Sequence, residues 1–213
     1  MTFALNPRTP SPSFRKERGT DGARKSGAIR EPWFRGPALE TPRLQLREFK
    51  LADVDALACI LGDPIAMVYY PAPFLQAEVE EWIRRNRARY RDYGFGIWAM
   101  LLKDSGELIG DCGCFVRELD ELGGNAEFEM GWHVRRDLWG RGYGTEAAQA
   151  CIDYAFSSLG AKRIIALVRP ENRSSCRVAE KSGMTCERVI FWRGYDHCIY
   201  ERKKGHKEVN VGL

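Results

Sequence analysis

The chain has 213 residues, of which 44% are hydrophobic and 29% are charged, and its length favours one globular domain with an appendage. No apolar run approaches the roughly 20 residues of a membrane-spanning helix. The net charge is +4, but residues 1–37 alone carry +5, so the remainder is nearly neutral and lacks the basic surface of a nucleic-acid-binding domain.

Residues 1–37 differ in composition from the rest of the chain. They hold five prolines with Gly, Ser and Arg between them and show no apolar periodicity, which predicts a disordered basic extension. They lack the apolar segment of a secretory signal, and an organellar transit peptide is the alternative to a plain extension or a mis-assigned start. We predict a folded domain over residues 38–205 and a C-terminal tail over residues 206–213.

The seven cysteines are an odd number and include no C-x-x-C pair. With only three histidines in the chain, this distribution predicts no metal site. Cys151 and Cys176 fall among apolar residues of predicted helices, where a free cysteine behaves as a small hydrophobic side chain. We therefore predict a reducing, cytoplasmic environment.

The first elements are a strand and two helices. Apolar and polar residues alternate over residues 41–49 and predict the strand. A short helix begins at Asp53 and stops at Gly62, and residues 67–74, with two Tyr and two Pro, predict a loop. A longer helix then places Val79, Trp82, Ile83 and Tyr90 on one face.

Five arginines crowd the rest of that second helix: Arg84, Arg85, Arg87, Arg89 and Arg91. We interpret them as a solvated face, and a dock for an acidic substrate is the alternative.

A meander of three antiparallel strands is predicted next, over residues 95–103, 107–116 and 127–134, with glycine-containing turns between them. After a helix that ends at Gly160, the apolar run 163–168 predicts a buried central strand. A short helix is expected from Ser174 or Ser175 to Ser182. Strands at 189–192 and 198–200 then flank Arg193-Gly194-Tyr195-Asp196 and form a closing hairpin.

Three glycines alternate at Gly140, Gly142 and Gly144, between the strand 127–134 and a helix. Glycine allows positive φ and close approach of the backbone to a ligand, and a helix N-terminus attracts an anion. This arrangement predicts a site for phosphate or pyrophosphate. The spacing matches neither the nucleotide-triphosphate loop nor the dinucleotide fingerprint, and a plain strand-to-helix connection is the alternative.

W-G-R-G-Y-G-T-E-A at 139–147, preceded by E-M-G-W at 129–132 and followed by P-E-N-R-S-S at 170–175, resembles the GCN5-related N-acetyltransferase (GNAT) superfamily. Within it, the motifs are most similar to the ribosomal-protein alanine N-acetyltransferase (Rim-type) branch. The resemblance spans about residues 40–203. It implies an α/β mixed (α+β) fold in which a mostly antiparallel central sheet splays open between its fourth and fifth strands, with helices on both faces.

The resemblance also implies a site for acetyl-CoA in that opening. Trp132, His133 and Val134 match the positions whose backbone pairs with the pantetheine arm. Asn172 is expected to bond the pantetheine or a neighbouring backbone group. The residues that match the pyrophosphate loop are Gly140, Arg141, Gly142, Tyr143, Gly144 and Thr145. Trp139 precedes them where the family commonly has Gln or Arg, which leaves one side-chain contact to CoA open.

Acetyl transfer needs a neutral amine and a group that takes its proton. Glu129 matches the family's Glu and is our candidate base. Glu127 lies on the same strand face, where a second carboxylate would raise the pKa of one of the pair, and it is a second candidate that would act through water. The alternative is that both are solvent-facing strand residues.

Ser175 is the candidate proton donor to the thiolate, although its residue type also fits a helix N-cap. The Tyr acid of many GNAT enzymes is absent, because Ala179 occupies the matching place. Tyr69 and Tyr70 are candidates for lining the acceptor pocket, and the alternative is that they cover the edge of the core.

The function implied is an N-acetyltransferase that transfers the acetyl group of acetyl-CoA to a primary amine, either a protein N-terminus or a small molecule, by direct attack. The alternative is a non-catalytic CoA-binding regulatory domain. We expect no metal, no membrane partner and no nucleic-acid partner, although a role for the basic extension in RNA binding is a third hypothesis. A homodimer is left open.

Overall fold

A computed structural model of the protein describes residues 39–118, 120–124 and 126–205. The predictions for residues 1–37 and 206–213 lie outside these ranges. In the described part, no helix is long and apolar enough to span a membrane.

The described residues form eight strands and four α-helices. The strands are β1 (Leu39–Glu40), β2 (Leu44–Arg47), β3 (Ile97–Leu102), β4 (Leu108–Glu118), β5 (Ala126–Val134), β6 (Arg163–Val168), β7 (Thr185–Trp192) and β8 (Tyr195–Lys203). The helices are α1 (Val54–Leu61), α2 (Gln76–Tyr93), α3 (Tyr143–Ser157) and α4 (Arg173–Lys181).

One sheet contains all eight strands, in the order β1-β2-β3-β4-β5-β6-β8-β7. Every neighbouring pair is antiparallel except β5 and β6, which are parallel. Only two residue pairs join these strands, Phe128 with Ile164 and Glu129 with Ile165. The ladder ends there, so the sheet is open between β5 and β6. These are the fourth and fifth predicted strands, and the predicted fold class is confirmed.

Helices cover both faces of the sheet. α3 and α4 pack over one face, whose buried cluster includes Trp98, Met130 and Cys151. α1 and α2 pack over the other face, whose cluster includes Leu57 and Ile83. Because side chains alternate along a strand, Glu129, Gly131 and His133 of β5 point away from Met130 and towards the α2 side.

Several element boundaries differ from the predictions; β7, for example, begins at Thr185 instead of residue 189. The first strand is shorter, because only residues 44–47 pair with β3. The closing hairpin turns at Arg193 and Gly194, whose φ angles are 52° and 84°. Two successive positive φ values suit a tight two-residue hairpin turn, so the next two residues, predicted as turn, belong to β8. α4 begins earlier than predicted, at Arg173.

Cys186 of β7 and Cys198 of β8 form a disulfide across the closing hairpin, with their Cα atoms 5.9 Å apart. The other five cysteines are free thiols, and all of them except Cys59 are buried. Disulfides are rare in cytosolic proteins, so this pair does not support the reducing compartment inferred from the cysteine count. A cytoplasmic location stays a prediction.

Candidate active site

A groove of about 550 Å³ lies at the opening of the sheet, within the range of roughly 300–1,000 Å³ that is typical of ligand pockets. The end of β5, the glycine loop, α4 and the segment between α1 and α2 line it. Ten of the eleven residues predicted to bind the cofactor line this groove: Trp132, His133, Val134, Trp139, Gly140, Gly142, Tyr143, Gly144, Thr145 and Asn172. Tyr69, Tyr70 and Ser175 line it as well.

The glycine loop brings backbone donors to the groove. Gly140 and Gly142 have φ values of 75° and 84°, which other residues adopt only with strain. Gly142 is the N-cap of α3, so the N–H groups of the first helical turn have no acceptor inside the helix. A Cβ on Gly144 would lie 3.4 Å from the side chains of Val134 and Val178. The backbone of the loop can therefore come close to a bound ligand and present its N–H groups to it.

An ion pair from the start of β2 anchors the glycine loop. Glu146 of α3 accepts hydrogen bonds from Thr41 Oγ1 at 2.6 Å, from the Arg43 backbone N–H at 2.9 Å and from Arg43 Nε at 2.6 Å. Arg43 Nη1 also donates to the carbonyl oxygen of Arg141 at 2.9 Å. Partial burial raises the pKa of Glu146, but the hydrogen bonds from Thr41 and Arg43 outweigh it and lower the pKa below its usual value.

Arg141 is the one predicted cofactor residue that does not line the groove. Its carbonyl oxygen accepts the hydrogen bond from Arg43. Trp139 has a structural contact too, because its indole Nε1 donates to the carbonyl oxygen of Val134 at 2.7 Å. Since the backbone of Val134 was predicted to pair with pantetheine, one lone pair of that oxygen is already used inside the protein.

Asn172 begins α4. Its Oδ1 accepts a hydrogen bond from the backbone N–H of Ser175 at 3.1 Å, so Asn172 bonds a neighbouring backbone group and is the N-cap. The interpretation of Ser175 as the N-cap is therefore wrong, and Ser175 lines the groove from the first turn of α4. Ala179 is fully buried.

The two candidate carboxylates are each paired with an arginine. Both oxygens of Glu129 accept from Arg117, one from Nε and the other from Nη2 at 3.1 Å. Arg163 Nη1 donates to Glu127 at 2.8 Å. Neither carboxylate lines the groove. Glu129 is only 8% exposed, so the alternative that it is a solvent-facing residue is wrong. Because each glutamate has its own arginine partner, the two carboxylates do not form the isolated pair that was expected to raise the pKa of one of them.

The two tyrosines of the loop hold different partners. The Tyr69 hydroxyl donates to the carbonyl oxygen of Glu171 at 3.0 Å, which ties the loop to the residues before α4. The Tyr70 hydroxyl lies 2.8 Å from His133 Nε2. Tyr70 is 41% exposed and lines the groove, so it does more than cover the edge of the core.

Residues 43–185 match the family model of the acetyltransferase (GNAT) domain. The chain belongs to the GNAT acetyltransferase family. It is similar to the N-acetyltransferase p20 of Bacillus licheniformis, with 34% identity over 78% of this chain and 89% of p20. The predicted membership of the GNAT superfamily is confirmed, and the protein is an acetyl-CoA-dependent acetyltransferase.

Solved structures agree with this assignment. An acetyltransferase from Agrobacterium tumefaciens has 28% identity and a TM-score of 0.68, over 83% of this chain and all of that one. The ribosomal-protein-S5-alanine acetyltransferase from Vibrio fischeri has 16% identity and a TM-score of 0.61, over 79% of this chain and 97% of its own. At that identity, the likeness to the Vibrio protein shows the fold alone.

The groove of this GNAT domain fits the phosphate groups of acetyl-CoA. The amides of the glycine loop form one side, and Arg177 and Lys181 of α4 line the same groove. These two residues are four apart and so share a helical face. We did not predict them from the sequence, although a basic i,i+4 pair on the helix after P-E-N-R-S-S was a signal. Among the residues described, no cluster of His, Cys, Asp or Glu is arranged to hold a metal ion.

The side of the groove that Tyr70 and His133 line contains further residues that we did not predict from the sequence. Asp111 of β4 is fully buried and binds His133 Nδ1 at 2.7 Å. Trp82 of α2 donates its indole N–H to the other Asp111 oxygen at 3.0 Å. The bonded residues come from separate elements, so no local motif relates them. His133 was expected to act through its backbone alone, whereas its side chain joins a hydrogen-bonded network.

The arginines of α2 divide into two groups. Arg84, Arg87 and Arg91 are exposed, as a solvated face requires. Arg89 is not: its guanidinium carbon lies 4.5 Å from the centroid of the Phe115 ring. Burial, followed by the neighbouring positive charges of Arg85 and Arg117, lowers the pKa of Arg89 to about 10.

Proposed function

We propose that the protein is an N-acetyltransferase that moves the acetyl group of acetyl-CoA onto a primary amine by direct attack. One observation supports this most: a single groove joins two chemically different regions. At one end, the glycine loop and the basic residues of α4 suit phosphates. At the other end, Tyr69 and Tyr70 adjoin the side of β5 that carries Glu129 and His133.

Glu129 is the proposed proton acceptor in this scheme. It lies on β5 beside the opening in which the family resemblance places acetyl-CoA, although it does not line the groove itself. Each carboxylate oxygen has two lone pairs, so an oxygen bonded to Arg117 retains one with which to accept a proton. Glu127 would act only through water, because it is bonded to Arg163.

Ser175 is the proposed donor to the leaving thiolate. Ser175 lines the groove at the first turn of α4, and helix N-terminal amides stabilise negative charge nearby. No tyrosine can serve from position 179, which is a buried alanine.

The acceptor is a protein N-terminus or a small-molecule amine. The Vibrio fischeri neighbour is named for acetylation of a ribosomal-protein alanine, and this places N-terminal peptides in the first panel to be tested. Small amines belong in the same panel, because acceptor loops diverge freely on one scaffold.

The test measures thiol release from acetyl-CoA with that panel, together with thermal shift on CoA binding. Glu129→Gln should keep the thermal shift and lose about 10²-fold or more in kcat/KM. The matched control is Glu118→Gln, which alters an exposed carboxylate at the far end of β4 and should behave as wild type. Wild-type turnover by Glu129→Gln would remove Glu129 as the base.

A non-catalytic CoA-binding regulatory domain is the second candidate function. Two observations favour it: Arg117 occupies both Glu129 oxygens, and Ala179 stands where many GNAT enzymes have a tyrosine. A thermal shift with CoA but no thiol release with any acceptor would select this function.

A further inference from the structure

We propose that Tyr70, His133 and Asp111 form a proton relay on the acceptor side of the groove, in which the Tyr70 hydroxyl takes a proton from the incoming amine and passes it to His133. This proposal rests on the acetylation of an amine proposed above. The relay removes the first proton of an ammonium substrate, and Glu129 removes the second.

The relay is a continuous chain of short contacts. Tyr70 Oη lies 2.8 Å from His133 Nε2, and His133 Nδ1 lies 2.7 Å from Asp111 Oδ1. Asp111 is fully buried, and the His133 side chain is 15% exposed. The chain thus runs from the groove, through a shielded imidazole, to a carboxylate without contact with solvent.

The indole of Trp82 fixes the direction of these hydrogen bonds. An indole N–H can only donate, so Asp111 Oδ2 accepts from it at 3.0 Å. In the proposed arrangement, Asp111 Oδ1 accepts from His133 Nδ1–H, which leaves Nε2 as an acceptor. Tyr70 donates to Nε2, and the free lone pairs of its oxygen are left for a donor that enters the groove.

The position of Tyr70 relative to the cofactor side supports a contact with the amine. The residue belongs to the segment between α1 and α2, and its ring centroid lies 5.5 Å from that of His133. His133 is two residues past Gly131 on the strand whose edge faces the opening. Tyr70 therefore lines the same groove as the glycine loop and α4.

The chemistry requires two proton acceptors when the substrate arrives as an ammonium ion. The nitrogen has three protons at the start and one in the amide product. The N–C bond forms, the C–S bond breaks, the thiolate gains one proton and one proton is released to solvent. In the proposed sequence, the ammonium gives its first proton to Tyr70 Oη while the tyrosine proton moves to His133 Nε2. Glu129 takes the second proton after attack.

Tyr70 transfers the proton and does not remain as a phenolate. Although the residue as a whole is 41% exposed, desolvation of its hydroxyl group, followed by the negative charges of Asp111 and Glu129, raises the pKa of Tyr70 well above its usual value. The phenol therefore stays protonated between turnovers. The positive charge rests on His133, where the buried Asp111 balances it. Besides Tyr70 and Asp111, Trp82 of α2 packs against this imidazole, with the two ring centroids 6.2 Å apart.

The first experiment compares pH profiles of kcat/KM for a lysine-like amine. In the wild type, the value should rise and then level off once the imidazole is neutral, because the relay accepts the ammonium form. In His133→Gln, it should keep rising tenfold per pH unit, because only the free amine then reacts. The defect should be about 10²-fold at pH 7 and should shrink as the pH rises. Tyr70→Phe should behave in the same way, with an unchanged KM for acetyl-CoA.

Two tyrosine variants serve as controls. Tyr69→Phe removes a hydroxyl from the same loop that is bonded to Glu171, and it should keep the wild-type shape of the pH profile. Tyr93→Phe alters an equally exposed tyrosine at the end of α2 and should leave both activity and profile unchanged. A wild-type profile for Tyr70→Phe and His133→Gln would overturn the proposal.

A second measurement is independent of turnover. The chain has three histidines, so ¹⁵N spectra of labelled imidazoles can be assigned by substitution. His133 should carry its proton on Nδ1 at neutral pH, and Asp111→Asn should change this tautomer. An imidazole with its proton on Nε2 would overturn the relay even if acetylation is found. If no amine is acetylated, the proposed function fails, and the spectra still decide whether the hydrogen-bond chain has the required direction.

Discussion

The two ends of the groove are built in different ways. The cofactor end is made of backbone: a loop with glycines at positive φ, the first amides of α3 and the N-terminus of α4. The acceptor end is made of side chains from four separate segments, which supply Tyr70, Trp82, Asp111, Arg117 and His133. The cofactor end binds mainly through main-chain N–H groups, with the side chains of Arg177 and Lys181 at its rim. The acceptor end binds through the side chains of these particular residues.

This difference explains where each end tolerates change. A backbone site depends on the conformation of a few consecutive residues, so it survives most substitutions and fails at its glycines. A side-chain network contains buried charges, each of which relies on a partner from another element. Damage at the acceptor end should therefore appear in stability as well as in activity.

The largest effect is expected at the acceptor end, from Arg117→Met. This change leaves Glu129, only 8% exposed, without its bidentate partner, and should lower the free energy of unfolding by about 3 kcal/mol. The double variant Arg117→Met/Glu129→Met should recover most of that loss, because it buries no charge. Urea unfolding of the wild type, of the single variants Arg117→Met and Glu129→Met, and of the double variant gives the coupling energy of the pair.

The matched control is the exposed pair Arg84 and Glu80, which are four residues apart on α2. Its coupling energy should stay below about 0.5 kcal/mol. Equal coupling in the two pairs would mean that the acceptor-end network is as solvated as the surface of α2, and the contrast between the two ends would not hold.

At the cofactor end, Gly142→Val should weaken CoA binding about 100-fold, which corresponds to roughly 2.7 kcal/mol. A β-branched residue resists a φ of 84°, and the distorted loop would no longer present its amides. Gly106→Val is the control, because Gly106 has a φ of 71° and open space around it at a distant turn. Calorimetric titration with CoA should show the loss in the first variant and not in the second.

The same contrast shows what the sequence can predict. The glycine loop and its neighbouring strand and helix are contiguous, so their conformation and contents follow from local residue types. Glu146 binds Arg43, and His133 binds Asp111. In each pair the two residues are far apart in the chain and become neighbours only when the sheet forms. No spacing rule connects them, so the anchor and the relay were not predicted.

Glu146→Gln tests the side-chain anchor of the cofactor end. Because the folded-state pKa of Glu146 is lowered, its ionised form contributes stability at pH values above the unfolded value, and this contribution is lost as the pH falls through the folded-state pKa. The variant should lose about 1 kcal/mol at pH 7, a figure reduced for solvent screening. The difference from the wild type should shrink in unfolding experiments below about pH 4. A difference that does not depend on pH would assign the effect to packing.

The smallest effect is expected from the basic rim of the groove. Arg177→Gln and Lys181→Gln should each raise the KM for acetyl-CoA about three- to tenfold at low salt, and less at high salt, because exposed charges are screened. Neither change should affect acetyl-pantetheine, a donor without the nucleotide phosphates. Arg173→Gln, at the start of the same helix, is the control and should not alter either KM. If Arg177→Gln and Lys181→Gln impair both donors equally, these side chains shape the groove rather than bind phosphate, and backbone amides alone would hold the phosphates at the cofactor end.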